Sequence, residues 1–429
     1  MQFQAHVDYL QRGYEAAMAE HGYDAVVLCA GTAASKNRFD DQTWSLSPTP
    51  AFSHWCPLVE ADAFVVVRPG RKPTLVRTLV TDYWEIAAQP ESDHFWSAFE
   101  VAGVTAGKAN DVLPEGSRVA VITRDPTKSP PGAVNPPDLI AAIDRLRTTK
   151  TAYEIECLAE ATRRAVRGHR ATAALFASGT PSELDLHLAY LAATEQDDPA
   201  CPYKNIVALG AHAAVLHYVA YTRERVAGDT SLLVDAGAKC LGYGSDITRT
   251  YARGTSPAAK RFAELVARMD TLQQAVCARI HVGMAYEDLH EESHRLLAIA
   301  LVELGILRGS VDELVARGVT RIVFPHGLGH SLGVTVHDVG MKLRPPRETN
   351  PFLRNTSTIA VGQVFTIEPG CYVIDALLSP LQADAQRAEL VNWAAIAELR
   401  PFGGIRIEDN IVVGEHAIRN LTREAYASA

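Results

Sequence analysis

The sequence predicts an α+β protein: a small N-terminal α/β domain, residues 1–148, followed by a larger C-terminal domain, residues 149–429. Three observations carry this reading. A chain of 429 residues exceeds what one ordinary core organises, so two domains are expected. The N-terminal part mixes one helical pattern with short β-rich runs. From about residue 205 the texture changes, and short apolar runs begin to carry Asp or Glu.

Val7, Leu10, Tyr14, Ala17 and Met18 keep helical spacing, which predicts a helix over 5–21. Strands are expected at DAVVLC (24–29), AFVVVRPG (63–70), PTLVRTL (73–79) and RVAVI (118–122). SPPGAVNPP (129–137) is too rich in proline for a helix or a central strand and reads as a domain connection. One long helical region should run from Pro137 to about Ala177, and a further helix from Ser182 to Glu195. Helical stretches at 256–281 and 285–304 separate the later runs SLLVDAG (231–237), SDITRTY (245–251), QVFTIEPG (363–370) and GIRIEDNIVV (404–413).

A hydrophobic share of 47% and a charged share of 21% leave ample material for a large core. The net charge of −9 argues against nucleic acid or an anionic membrane as the main partner. The seven cysteines are scattered singly, with no CxxC, as expected of reduced thiols in the cytoplasm. The N-terminus lacks the apolar core of a signal peptide, and no apolar run reaches membrane-helix length.

The segment FPHGLGHSLGVTVHD (324–338) holds His326, His330 and His337 among glycines 327, 329 and 333. Glycine is costly in a helix and useful where backbone turns or approaches closely, so a looping segment that presents imidazoles is expected. Neutral imidazole is the commonest ligand for divalent metals. The matching carboxylates are in the strand-like runs, where Asp and Glu are out of place. Asp235 closes SLLVD. Asp246, Thr248 and Thr250 share a face, as do Val364, Thr366 and Glu368, and Arg406 and Glu408. If these runs lie together, four carboxylates converge in an apolar interior, which two divalent cations would balance. Mixed oxygen and nitrogen ligands favour Mn, Co, Zn or Fe over a thiolate-bound structural zinc.

In that order, Asp235, Asp246, His330, Glu368 and Glu408 resemble the five-ligand signature of the pita-bread metallopeptidases. The strings VDAG, SDITRT, HGLGH, TIEPG and GGIRIEDN are similar to the bacterial Xaa-Pro dipeptidase (prolidase) branch. The resemblance extends over nearly the whole chain, including NIVALGAHAAVLHY (205–218). It implies a pita-bread catalytic domain and a dinuclear site, usually manganese, with cobalt or zinc able to substitute. Asp235 would bind one metal, Asp246 and Glu408 would bridge both, and His330 and Glu368 would bind the other. A hydroxide bridging the metals would attack the carbonyl before proline. Glu368 or Glu408 would move the proton, and His337 would help to stabilise the oxyanion. His217, His326, Tyr203, Arg354 and Arg406 would face the substrate, either arginine holding its free carboxylate. Asp41, in FDDQTW (39–44), would meet the substrate amine across a homodimer interface, giving residues 1–148 roles in dimerisation and gating.

The implied reaction releases proline from Xaa-Pro dipeptides, with organophosphate ester hydrolysis as a side activity. The nearest alternative is an aminopeptidase P acting on longer Xaa-Pro peptides. HEESH (290–294) formally matches the zincin pattern HExxH, but an ordinary apolar helix follows it with no third ligand at short spacing. Cys371, three residues after Glu368, stands where relatives carry an aliphatic residue, and a buried inert thiol is expected.

Overall fold

A computed structural model describes residues 2–79, 83–84, 86–105 and 118–428. The chain forms two compact units, one of Met1–Cys157 with Cys240–Tyr243, the other of Leu158–Lys239 with Gly244–Ala429.

In the first unit the helix Phe3–His21 buries Phe3, Val7, Leu10, Tyr14, Ala17 and Met18 along one face. It stops at Gly22, whose φ of 72° suits a residue without Cβ. The strands Ala25–Cys29, Phe64–Val67, Thr74–Thr78, Glu100–Val104, Val119–Ile122 and Ala133–Val134 make one mixed sheet. Ala25–Cys29 and Phe64–Val67 are buried at every residue, which explains why those runs show no polar alternation. Ala133–Val134, inside the proline-rich stretch, is an edge strand, where a missing N–H does no harm.

The single helical region expected from Pro137 is two helices, Pro137–Leu146 and Ala152–Ser178. The break is a capping box. The Thr151 amide donates to Glu154 Oε2 at 2.8 Å, and the Glu154 amide to Thr151 Oγ1 at 3.4 Å.

The second unit holds two three-stranded antiparallel sheets. One joins Ile206–Leu209, Thr230–Asp235 and Thr248–Arg253; the other joins Val364–Ile367, Asp409–Val413 and Ile418–Asn420. A short ladder of Gly370–Tyr372 with Gly404–Arg406 lies in sequence between the first two strands of the second sheet, and a bridge from Thr248 to Glu408 ties the sheets. The helices Pro257–Cys277 and Tyr286–Glu303 bring Phe262, Met269, Leu289 and Leu301 into one core with Phe365, Ile367, Ile405 and Ile411.

The acids stand at strand ends and not inside strands. One strand begins at Thr248, two residues after Asp246, and another ends at Ile367, one before Glu368. Pro369 follows Glu368 and, having no N–H, cannot extend the ladder. The run 404–413 breaks because the Glu408 amide leaves that ladder and donates to the Thr248 carbonyl at 3.0 Å. Among the described residues, no helix is long and apolar enough to cross a membrane.

Candidate metal centre

The histidine-bearing segment is irregular, as expected, and lies along the strand Val364–Ile367. Thr366 donates to the His330 carbonyl at 2.9 Å, Glu368 to that of Leu328 at 2.8 Å, and Leu332 to that of Val364 at 3.0 Å. Gly329 permits this approach, since a Cβ there would stand 2.1 Å from the Thr366 carbonyl oxygen. The contact puts the His330 ring beside the carboxylates. Its Nε2 lies 3.3 Å from Asp246 Oδ2, 3.5 Å from Glu368 Oε1 and 3.9 Å from Glu408 Oε1. Nδ1 sits 3.1 Å from the Ser331 carbonyl, which only accepts, so Nδ1 carries the proton and Nε2 presents its lone pair to the acids.

Asp235 joins through shared partners. Tyr203 Oη donates to Asp235 Oδ1 at 2.7 Å and to Asp246 Oδ1 at 2.6 Å. Arg406 donates from Nη2 to Asp235 Oδ2 at 2.5 Å, from Nη1 to Tyr372 Oη at 2.9 Å and from Nε to Thr248 Oγ1 at 3.2 Å. Thr248 Oγ1 donates to Glu408 Oε2 at 2.7 Å. Thr248 and Arg406 thus occupy the faces that the period-2 pattern assigns them.

The electrostatics call for positive charge. Burial, then repulsion from Asp235, raises the Asp246 carboxyl. Burial, then repulsion from Asp246, Glu368 and Asp235, raises Glu408 well above its ordinary range. Burial pushes Glu368 up to about 7, although His330 and Arg406 pull it back. Burial would lower His330, but Asp246 and Glu368 outweigh that and raise it. One arginine and one imidazole do not balance four carboxylates, three of them buried and Glu368 partly so.

The residues fit divalent cations on a further count. Glu408 is 1% exposed, and its Oε1 has no hydrogen-bond partner. A buried carboxylate oxygen is costly to leave unsatisfied. Donor atoms of Asp246, His330 and Glu408 lie within 4.8 Å of one another.

The other sequence-predicted residues occupy varied surroundings. His326 Nε2 is 2.9 Å from Tyr372 Oη and its Nδ1 is 3.8 Å from Glu368 Oε2. Burial pushes its ring down to about 3, so it is neutral. The His337 ring stands 4.4 Å from that of His330, and its Nδ1 is 2.9 Å from Arg354 Nη1. Arg354 and His217 are exposed. Asp41, in the first unit, is exposed and accepts from Gln42 Nε2 at 3.3 Å.

Sequence reasoning passed over Tyr372, which links Arg406 to His326, and Arg249, whose Nη1 donates to the Glu408 carbonyl at 2.8 Å. Nothing in GCY marks Tyr372. Arg249, between Thr248 and Thr250, carried a signal: a charged residue in a buried strand. Cys371 is buried, and burial pushes its thiol up to about 12, the inert state expected. In HEESH, His290 and His294 are buried with rings 4.7 Å apart, while Glu291 turns to Arg321 at 2.7 Å.

Residues 156–415 match metallopeptidase family M24, and residues 1–144 match the Xaa-Pro dipeptidase N-terminal domain. A Marinobacter nauticus Xaa-Pro dipeptidase is 41% identical over 98% of this chain and 97% of its own. A Stenotrophomonas maltophilia Xaa-Pro dipeptidase is 36% identical over 99% and 97%. Among solved structures, E. coli aminopeptidase P in its low-pH form superposes with a TM-score of 0.75 at 22% identity, covering 98% of this chain and 95% of that one. The shared fold is a pita-bread domain that follows a smaller N-terminal one in sequence. The chain belongs to metallopeptidase family M24.

Proposed function

We propose that the protein is a dinuclear Xaa-Pro dipeptidase that releases C-terminal proline, with Asp235, Asp246, His330, Glu368 and Glu408 holding two divalent ions. The observation that carries this is the orphaned Glu408 oxygen, buried in a group of four carboxylates and one imidazole of which only Glu368 is partly exposed. The curated relatives, at 36–41% identity over nearly their whole length, supply the substrate class. We take manganese as the native metal, with cobalt or zinc able to replace it.

Bound there, the ions would supply Lewis acidity and a hydrolytic nucleophile near neutral pH. The chain's own residues do the rest. Glu368, beside His330, is assigned to accept the nucleophile's proton and deliver it to the departing proline nitrogen. Glu408 stays ionised once cations balance it. His337, beside His330, donates to the developing oxyanion.

Arg406 spends its donors on Asp235, Tyr372 and Thr248, so we assign it to positioning. Arg354, exposed and next to His337, is assigned to the substrate carboxylate. An Xaa-Pro bond has no N–H to read, so recognition rests on the chain ends and the ring shape. Tyr203, His217 and His326 would line that pocket, and Asp41 would meet the substrate amine from the partner subunit of a homodimer. Organophosphate ester hydrolysis through the same nucleophile, and a cytoplasmic location, complete the proposal.

Initial rates on Ala-Pro and Ala-Pro-Ala-Ala test it. Ala-Pro should be cleaved with the higher kcat/KM. Preference for the tetrapeptide would make the protein an aminopeptidase P instead.

A further inference from the structure

The first unit holds a second buried group of metal-ligating side chains. His6 on the helix Phe3–His21, His54 on the helix Pro50–Trp55 and Glu154 in the first turn of Ala152–Ser178 are each 1% exposed or less. One donor atom from each lies within 4.8 Å of the other two. None of the three takes part in the mechanism above.

Glu154 is a buried carboxylate with three basic neighbours, the imidazoles of His54 and His6 and the ammonium of Lys150. Oε1 stands 3.2 Å from His54 Nε2, and Oε2 stands 3.8 Å from His6 Nδ1. Imidazoles bring positive charge in two ways, by taking up a proton or by ligating a cation. Two details of geometry favour the cation. First, His6 Nε2 is 2.7 Å from the His54 carbonyl, which only accepts. Nε2 therefore carries the ring proton, and the Nδ1 lone pair faces Thr151 Oγ1 at 2.9 Å with Glu154 Oε2 3.8 Å away; a cation there would take the place of the hydroxyl, leaving the far N–H anchored as in a metal-bound histidine. Second, His54 Nε2 stands 3.2 Å from Glu154 Oε1 without the alignment of a good hydrogen bond, and its Nδ1 has no partner either. A shared proton would lie along that line, whereas two ligands of one ion stand side by side. With bonds of about 2.0–2.1 Å, tetrahedral zinc ligands stand about 3.3–3.4 Å apart, between the two separations seen here.

Burial also pushes His6 down to about 4, the neutral form a ligand needs. Burial would push the Glu154 carboxyl up, but His54, His6 and Lys150 outweigh it and hold Glu154 ionised. The Thr151 hydroxyl lies between the two ligands, 2.9 Å from His6 Nδ1 and 3.1 Å from Glu154 Oε2.

We propose that His6, His54 and Glu154 form a structural zinc site that pins two helices of the N-terminal unit to the first turn of a third, separate from the catalytic ions. Full-length protein saturated with Zn²⁺ and then freed of excess should hold three zinc ions per subunit by elemental analysis. Glu154→Gln should hold two and keep its Ala-Pro turnover, and Glu408→Gln should keep the third. If either variant fails to fold, anomalous diffraction at the zinc edge on wild-type crystals decides, with a peak among His6, His54 and Glu154 expected. Two zinc ions in the wild-type protein and no such peak would overturn the proposal. That outcome would leave the dipeptidase reading intact, because turnover and the other two ions are measured in the same samples.

Discussion

Arg406 and Arg354 carry the same guanidinium in opposite surroundings. Arg406 is buried with its donors committed to Asp235, Tyr372 and Thr248, and Arg354 is exposed beside His337. Arg406→Met should therefore lower metal affinity by about 10–100-fold, as loss of a group that orients a ligand does. Calorimetric titration with Mn²⁺ checks this; unchanged affinity would contradict the positioning role. Arg354→Met should raise KM for Ala-Pro by about 10–100-fold through loss of a charged hydrogen-bond pair, with kcat little changed. His294→Ala should cost stability and leave the metal content whole. The five residues that come together at the centre were readable because each is a misfit in its neighbourhood: an acid in an apolar run, or an imidazole among glycines. Tyr372 was not, since a tyrosine in an apolar strand looks like core until its hydroxyl is seen between two charged partners.

The elements show what periodicity resolves and what it misses. The helices at 3–21, 257–277 and 286–303 were legible from their apolar stripes. The strand runs were legible as strands, but their ends were not, because hydropathy does not report where a backbone amide changes partner. Glu408 pairing with Thr248 is such a change. The break at 147–151 did have a local signal, the T-x-x-E of Thr151 and Glu154, which the continuing helical pattern concealed. The close seating of 324–338 on Val364–Ile367 is an element-scale feature that one methyl group tests. Gly329→Ala would put Cβ against the Thr366 carbonyl and lift His330 from the acids. A loss of about 1–3 kcal/mol in stability, read by denaturant unfolding, should come with a loss of bound metal. A stable variant with full metal content would refute that geometry.

For the whole molecule, the carboxylate cluster links stability to pH and to metal. The raised Glu368 and Glu408 carboxyls keep protons in the folded, metal-free protein at pH values where the unfolded chain has released them. The folded state then binds more protons, so stability falls as pH rises, from the ordinary carboxylate range through about 7. Thermal melts of chelated protein should show Tm dropping between pH 7 and 8, above the range where buried histidines held low, such as His326 and His6, make stability rise with pH. Metal bound to the folded state alone should reverse the trend, adding about 2.7 kcal/mol at a free concentration a hundred times Kd. A chelated protein whose Tm rises across that range would contradict the raised carboxyls. The direct measurement of the central claim is turnover. Chelated protein titrated with Mn²⁺ should begin with no Ala-Pro hydrolysis and reach its plateau at two ions per subunit. Undiminished hydrolysis in the chelated protein would contradict the account.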